Sequence, residues 1–220
     1  MLSDVSGIVL RQTKISGGRR MIHIFTREKG KISAGTHISE NSKSKSALSI
    51  RPFTYGRYSI DIKQGGFISI RSADIIDSNF QIGEDIDRYI ESSYVLEFTD
   101  KLLPEETIDE KIFDLLLLYI KLISKRKDNF RLLTISYMIN VFQLIGMFPD
   151  SNSFEDDELL SNLNFDILNV VVYLTDNPLE EMGRLTLDGD KTDTVFSILK
   201  EFSRKHLDIG SIKSDIRMNS

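Results

Sequence analysis

The stretch Arg20–Ile38 reads RMIHIFTREKGKISAGTHI. Its Lys29-Gly30-Lys31 resembles the end of a phosphate-binding loop. That reading fails, because a nucleotide-cradling loop carries a glycine five residues before the Gly-Lys pair and a hydroxyl just after it. Phe25 and Ile32 stand in those places. The residues on either side of Gly30 are short, alternating and rich in β-branched side chains, which predicts two strands. Gly30 then supplies the positive φ of the turn between them. The stretch is a hairpin with Arg27, Lys29 and Lys31 gathered at its turn.

Working outward, three more segments show a period of two: VSGIVLRQTKI (Val5–Ile15), RYSIDIKQ (Arg57–Gln64) and FISIRSADII (Phe67–Ile76). Gly17-Gly18 and Gly65-Gly66 punctuate them as Gly30 does. The polar ISENSKSKSALSI (Ile38–Ile50) is a loop or a short helix. Five short strands within about 75 residues fit a small closed barrel better than an open sheet, since closure removes the edges. From about residues 76–83 the period becomes helical. Helices are predicted over Glu84–Leu103, Ile108–Lys127 and Asp128–Gly146, the last with Asp128 as N-cap. Two more are predicted over Asn164–Asn177 and Lys191–Leu207. Ser151–Asn164 is polar and acidic and reads as a loop. The fold class is α+β in two domains, a five-stranded β-barrel at residues 1–79 and an all-α domain at residues 80–220.

Net charge is −5, but the distribution is uneven. Residues 1–72 hold thirteen Lys/Arg and four Asp/Glu, a balance of +9, while the remainder carries −14. A basic front and an acidic rear suggest units with different partners. The chain has no cysteine, so disulfides and thiolate zinc sites are excluded and a reducing compartment is expected. No stretch approaches eighteen apolar residues, and the first residues lack the layout of a signal peptide. A soluble, cytoplasmic protein is expected, with no membrane partner.

The patterns of catalysis are missing. The three histidines form no HExxH, and no GxSxG occurs. The acidic run Glu155–Glu158 lacks the alternating ligands and central glycine of a calcium loop and reads as a solvated loop. No enzyme activity, metal or cofactor is expected. Single-stranded nucleic acid is held by a positive groove lined with aromatic rings, and the front unit offers both. The candidates are Arg11, Lys14, Arg19, Arg20, Arg27, Lys29, Lys31, Lys43, Lys45, Arg51 and Arg57, with Tyr55 and Tyr58 as stacking rings. Phe25 and Phe53 are expected in the core. In the acidic rear, Lys121, Lys125, Arg126, Lys127 and Arg131 form one basic cluster beside Phe130. It is either a cation-rich helix end answering the macrodipole or a partner site.

These segments resemble the RecO family of bacterial recombination mediators. The resemblance is carried by GIVLRQTKIS (Gly7–Ser16), IFTREKGKISA (Ile24–Ala34), RPF (Arg51–Phe53), YVLEFTDKLLPE (Tyr94–Glu105), IFDLLLLYIKLI (Ile112–Ile123), FQLIGMFPD (Phe142–Asp150) and KEFSRKHLDIGSIKS (Lys200–Ser214). No single motif is specific; their order is. The resemblance implies an OB-fold at the front that binds single- and double-stranded DNA. It implies annealing of strands coated by single-stranded-DNA-binding protein, and recombinase loading with RecR and possibly RecF. It also implies nucleoid association in DNA repair. The acidic C-terminal tail of single-stranded-DNA-binding protein is then the expected ligand of the Lys121–Arg131 cluster. Relatives often hold a four-cysteine zinc site, and the matching region here, about 149–185, has no cysteine. Two other readings stay open on charge and fold alone, an RNA-binding OB protein of the translation apparatus and a non-catalytic interaction scaffold.

Overall fold

The hairpin forms as its alternation requires. In the computed structural model, β2 (Arg20–Thr26) and β3 (Gly30–Thr36) pair antiparallel, with Thr26 opposite Gly30 and Arg20 opposite Thr36. Gly30 takes φ +66° as the first residue of β3, just after the turn. The structure describes residues 1–15, 19–36, 38, 45–183, 185–207 and 209–215.

Three further strands complete the sheet: β1 (Leu2–Lys14), β4 (Tyr55–Ile62) and β5 (Ile68–Asp77), with the one-turn α1 (Lys45–Leu48) ahead of β4. β1 pairs with β2 through its second half and with β4 through its first. A register shift between Val9 and Arg11 lets this one long strand bend across both. β4 and β5 form the second hairpin, and β5 closes against β3 in parallel at Ala34–Ile68 and Gly35–Ser69. The result is a closed barrel in the order β1-β2-β3-β5-β4, the OB arrangement. Val5, Val9, Ile22, Ile24, Ile32 and Ile60 fill it from the inward face of each pleat.

The chain divides into two compact units whose limits are not those of one cut. The first holds residues 1–80 and 96–113; the second holds 81–95 and 114–220. The helices α2 (Ile86–Leu102) and α3 (Glu110–Lys125) each give residues to both. With residues 96–113 included, the first unit has fifteen Lys/Arg and twelve Asp/Glu. Its net charge is therefore +3 rather than the +9 of residues 1–72.

In the second unit, α4 (Phe130–Leu144) is buried on nearly every side, as its apolar circumference predicts. It packs on α5 (Phe165–Asp176) and α6 (Gly189–Leu207). Phe142, Phe148 and Phe202 form an aromatic cluster with centroids 5.1–6.2 Å apart. Asp128 does not cap α4. Asn129 stands at the cap in the left-handed conformation and makes no side-chain cap bond. Its amide instead donates to the Leu187 carbonyl at 2.8 Å. Within 151–164, read as loop, residues Ser151–Asp156 form a 3-10 turn around the buried Phe154. Among the described residues, no helix is long and apolar enough to cross a membrane.

Gly30 is constrained twice. Besides its positive φ, a Cβ there would lie 2.1 Å from the Thr107 carbonyl oxygen, a main-chain atom that cannot step aside. Gly30→Ala is therefore expected to destabilise the first unit by about 3 kcal/mol or more, read as a lowered urea midpoint. Lys29→Ala, one residue earlier, is expected to stay within about 0.5 kcal/mol of the parent.

Candidate nucleic-acid interface

The pleat turns Lys31, Ser33 and Gly35 of β3 to the outside of the barrel, and His23 and Phe25 of β2 likewise. Lys31, His23 and Phe25 are nevertheless buried. Residues 96–113, in the same unit, cover this half of the face. The Glu106 N–H donates to the Lys31 carbonyl at 2.8 Å, and Lys31 bridges in parallel to Glu105. Phe113 meets Phe25 edge to face at 5.4 Å.

The charges on this face are therefore spoken for. The Lys31 ammonium donates to the Asp100 carbonyl oxygen and pairs with its carboxylate at 3.4 Å. Arg11 Nε donates to the same carboxylate, and Arg27 lies 4.7 Å over the Phe113 ring. Lys31 thus contradicts the expectation of a turn lysine facing phosphate. It is 8 % exposed, because the segment that carries Asp100 folds over it. Ser33 Oγ donates to Glu105 Oε1 at 2.9 Å and lies 2.9 Å from His23 Nδ1. A hydroxyl has one proton, so His23 supplies the other, and its Nδ1 is the protonated nitrogen. Burial, then the Arg11 charge, lower the His23 pKa below its ordinary value; Lys31 adds to this, and Asp100 and Glu105 oppose it.

Other expected cations stand outside this cover. Lys14, Arg19, Arg51 and Arg57 are exposed and Lys29 is half-buried, and none pairs with an acid among the described residues. Arg20 donates to Gln12 at 3.1 Å. Lys43 lies outside the described residues. For Lys45 only the main chain, at the start of α1, is described. Of the two expected stacking rings, Tyr55 is half-buried and meets Phe113 edge to face at 6.3 Å. Tyr58 is not available at all. It is fully buried in the barrel, its hydroxyl donates to the Ser49 carbonyl at 2.7 Å, and burial pushes its pKa up. Phe25 and Phe53 are buried and not stacking platforms, Phe25 on the outer face beneath Phe113.

In the second unit, the basic cluster of the α3–α4 corner is part scaffold and part surface. Arg126 is 7 % exposed. Its guanidinium donates to three carbonyls, Asp128 and Met182 at 2.6 Å and Leu185 at 2.5 Å. Burial lowers its pKa against the raising effect of Asp128. Arg131 donates to Glu91 at 2.9 Å and to Asp193 at 2.6 Å. Phe130 is buried, with the Arg88 guanidinium 5.2 Å over its ring. Arg126, Arg131 and Phe130 were expected to face a partner, and they face their own unit instead. Lys121, Lys125 and Lys127 remain exposed. The residues that sequence reasoning missed are Asp100 and Glu105. The only signal was an acid set among the apolar Val95, Leu96, Phe98 and Leu103, where a solvated carboxylate does not belong.

The model of the N-terminal domain of recombination protein O matches residues 1–79, and that of its C-terminal domain matches residues 83–158. The chain is 28 % identical over 149 residues to the DNA repair protein RecO of Bacillus cereus strain B4264. The match covers 68 % of this chain and 59 % of that relative. The proteins of the same name from Bacillus mycoides strain KBAB4 and Bacillus anthracis strain CDC 684 match at 28 % with the same coverage. The match thus spans less than two thirds of the length of these relatives.

Two outcomes follow from the buried polar face. Lys31→Ala leaves Asp100 short of a partner and is expected to cost about 3 kcal/mol in a urea melt. The second outcome concerns acid. With its folded pKa depressed, His23 resists a proton that the unfolded chain accepts near pH 6.5. Its contribution is present above that pH and is lost as pH falls through the folded pKa. His23→Gln keeps a donor for Ser33 and removes the titration, so its stability should change less between pH 7 and pH 5 than the parent's.

Proposed function

The chain belongs to the RecO family, and on that premise we propose that its barrel binds DNA by charge and brings complementary strands together during recombinational repair. The observation that carries this reading is the set of cations outside the cover, Lys14, Arg19, Lys29, Arg51 and Arg57, on an OB barrel and without acidic partners among the described residues. Annealing needs no bond chemistry. Two backbones repel each other, and a basic surface that neutralises both lowers the barrier to pairing. No catalytic constellation, nucleotide or metal enters this account.

The partners follow from the same premise. Strands coated by single-stranded-DNA-binding protein are the substrate. An acidic tail of that protein would meet Lys121 and Lys125, one turn apart on α3, together with Lys127. Recombinase loading would proceed with RecR, with or without RecF. The RNA-binding alternative is separated by titrating DNA and RNA strands of one sequence in parallel.

Binding through five phosphates gives a slope of log K against log salt of about −3.5 on single strands and about −4.5 on duplex. A slope near zero on both would remove the electrostatic account. Lys29→Ala with Arg57→Ala should flatten the single-strand slope by about 1.4 without altering the melt.

A further inference from the structure

Most aromatic rings of the first unit are inside it. Phe25, Tyr58 and Phe113 are fully buried and Phe53 is 6 % exposed. Phe67 is 46 % exposed, at the turn between β4 and β5. That turn is tied by Lys63 N–H to the Phe67 carbonyl at 3.0 Å and by Gly66 N–H to the Lys63 carbonyl at 3.1 Å. The ring is not loose. Its tip is laid against Gly35 of β3, where a Cβ would come within 2.8 Å of Cζ. The Lys63 ammonium lies 5.7 Å from the ring centroid. Phe80 is also exposed, but no cation lies over its ring among the described residues.

The register brings charge to the same end of the barrel. Gly35 pairs with Met21, the next rung joins Thr36 to Arg20, and Arg20 pairs on its other side with Lys14 of β1. The ring therefore sits on the half of the β2–β3 face that residues 96–113 leave uncovered; Arg20 and Lys14 lie at the same end of the barrel but on the opposite pleat from Gly35, so Lys63 is the cation beside the ring. An exposed flat ring, fixed from below and with the Lys63 ammonium beside it, is what an unpaired base requires: a π-face to stack on and a cation for its phosphate. OB barrels present ligands to the strand 2–3 face and to this turn.

We propose that the β4–β5 turn is a stacking site for an unpaired nucleobase, with Phe67 as the platform and Lys63 as the partner of the adjoining phosphate. This rests on the DNA-binding reading above and adds to it a preference for single strands. Bases in a duplex already stack on each other and offer the ring no free face.

The test is anisotropy titration of a labelled oligo-dT strand and of a labelled hairpin duplex. Phe67→Ala should weaken single-strand binding about ten-fold and leave duplex binding and the salt slope as they were. Phe67→Tyr should restore it. Gly35→Ala, whose methyl displaces the ring tip, should lose part of the same affinity. Lys63→Ala should flatten the single-strand slope by about 0.7. Parental single-strand affinity in Phe67→Ala overturns the stacking site, and so does an equal loss on both substrates, which would make the ring a support of the fold. If the parent itself shows no salt-dependent binding to either substrate, the DNA-binding reading falls first, an outcome distinct from both.

Discussion

A single buried carboxylate decides which surface of the first unit is free. Asp100 receives Arg11 from β1 and Lys31 from β3, and its main-chain oxygen takes the Lys31 ammonium as well. A carboxylate this far from water is tolerable only with such partners. Once they are engaged, the segment that carries it must lie on the outer β2–β3 face. Glu105 and Phe113 then fall into place against Ser33 and Phe25. Two of the barrel's cations are spent as structural counter-ions, and the positive surface is displaced to strand ends and turns.

Arg126 does the corresponding work in the second unit. Its five donors are rigidly forked, and three carbonyls from Asp128, Met182 and Leu185 accept from them. The Met182 and Leu185 carbonyls come from the stretch between α5 and α6, whose regular structure among the described residues is the 3-10 turn Glu181–Gly183. Arg88 adds a bond to the Arg126 carbonyl at 2.7 Å. The planar fork of donors gathers these main-chain oxygens at one point. It does so with hydrogen bonds, where a metal site would use coordination.

The strands and helices were legible because periodicity is a local signal. Ile22, Ile24 and Ile32 alternate within a few residues, and Gly30 marks its own turn. The candidate interface was only half legible. Lys29 and Lys31 look alike in the sequence, two residues apart around one glycine. One stays near the surface and the other is buried against a carboxylate sixty-nine positions later. Arg126 and Lys127 are neighbours with opposite fates for the same reason. Charge can be counted along a chain, but a counter-ion is chosen by tertiary contact. Tyr58 shows the related limit, since the inward and outward faces of a five-stranded barrel differ by one residue in register.

The division of the chain also bears on how it is made. Residues 1–80 leave the ribosome as a set of strands that can pair and close. Their outer face then still lacks Asp100 and Phe113, which are synthesised only after residues 81–95, a segment that belongs to the other unit. A barrel closed at that stage would leave the Phe25 ring and the Lys31 ammonium uncovered. A fragment cut at the end of β5 would be held in that state permanently. It would be more basic than the finished unit and would show a greasy, charged face that the mature protein never presents. Its affinity for polyanions would be that of a translation intermediate, so the barrel's behaviour as an isolated piece is a poor guide to its behaviour in the whole chain.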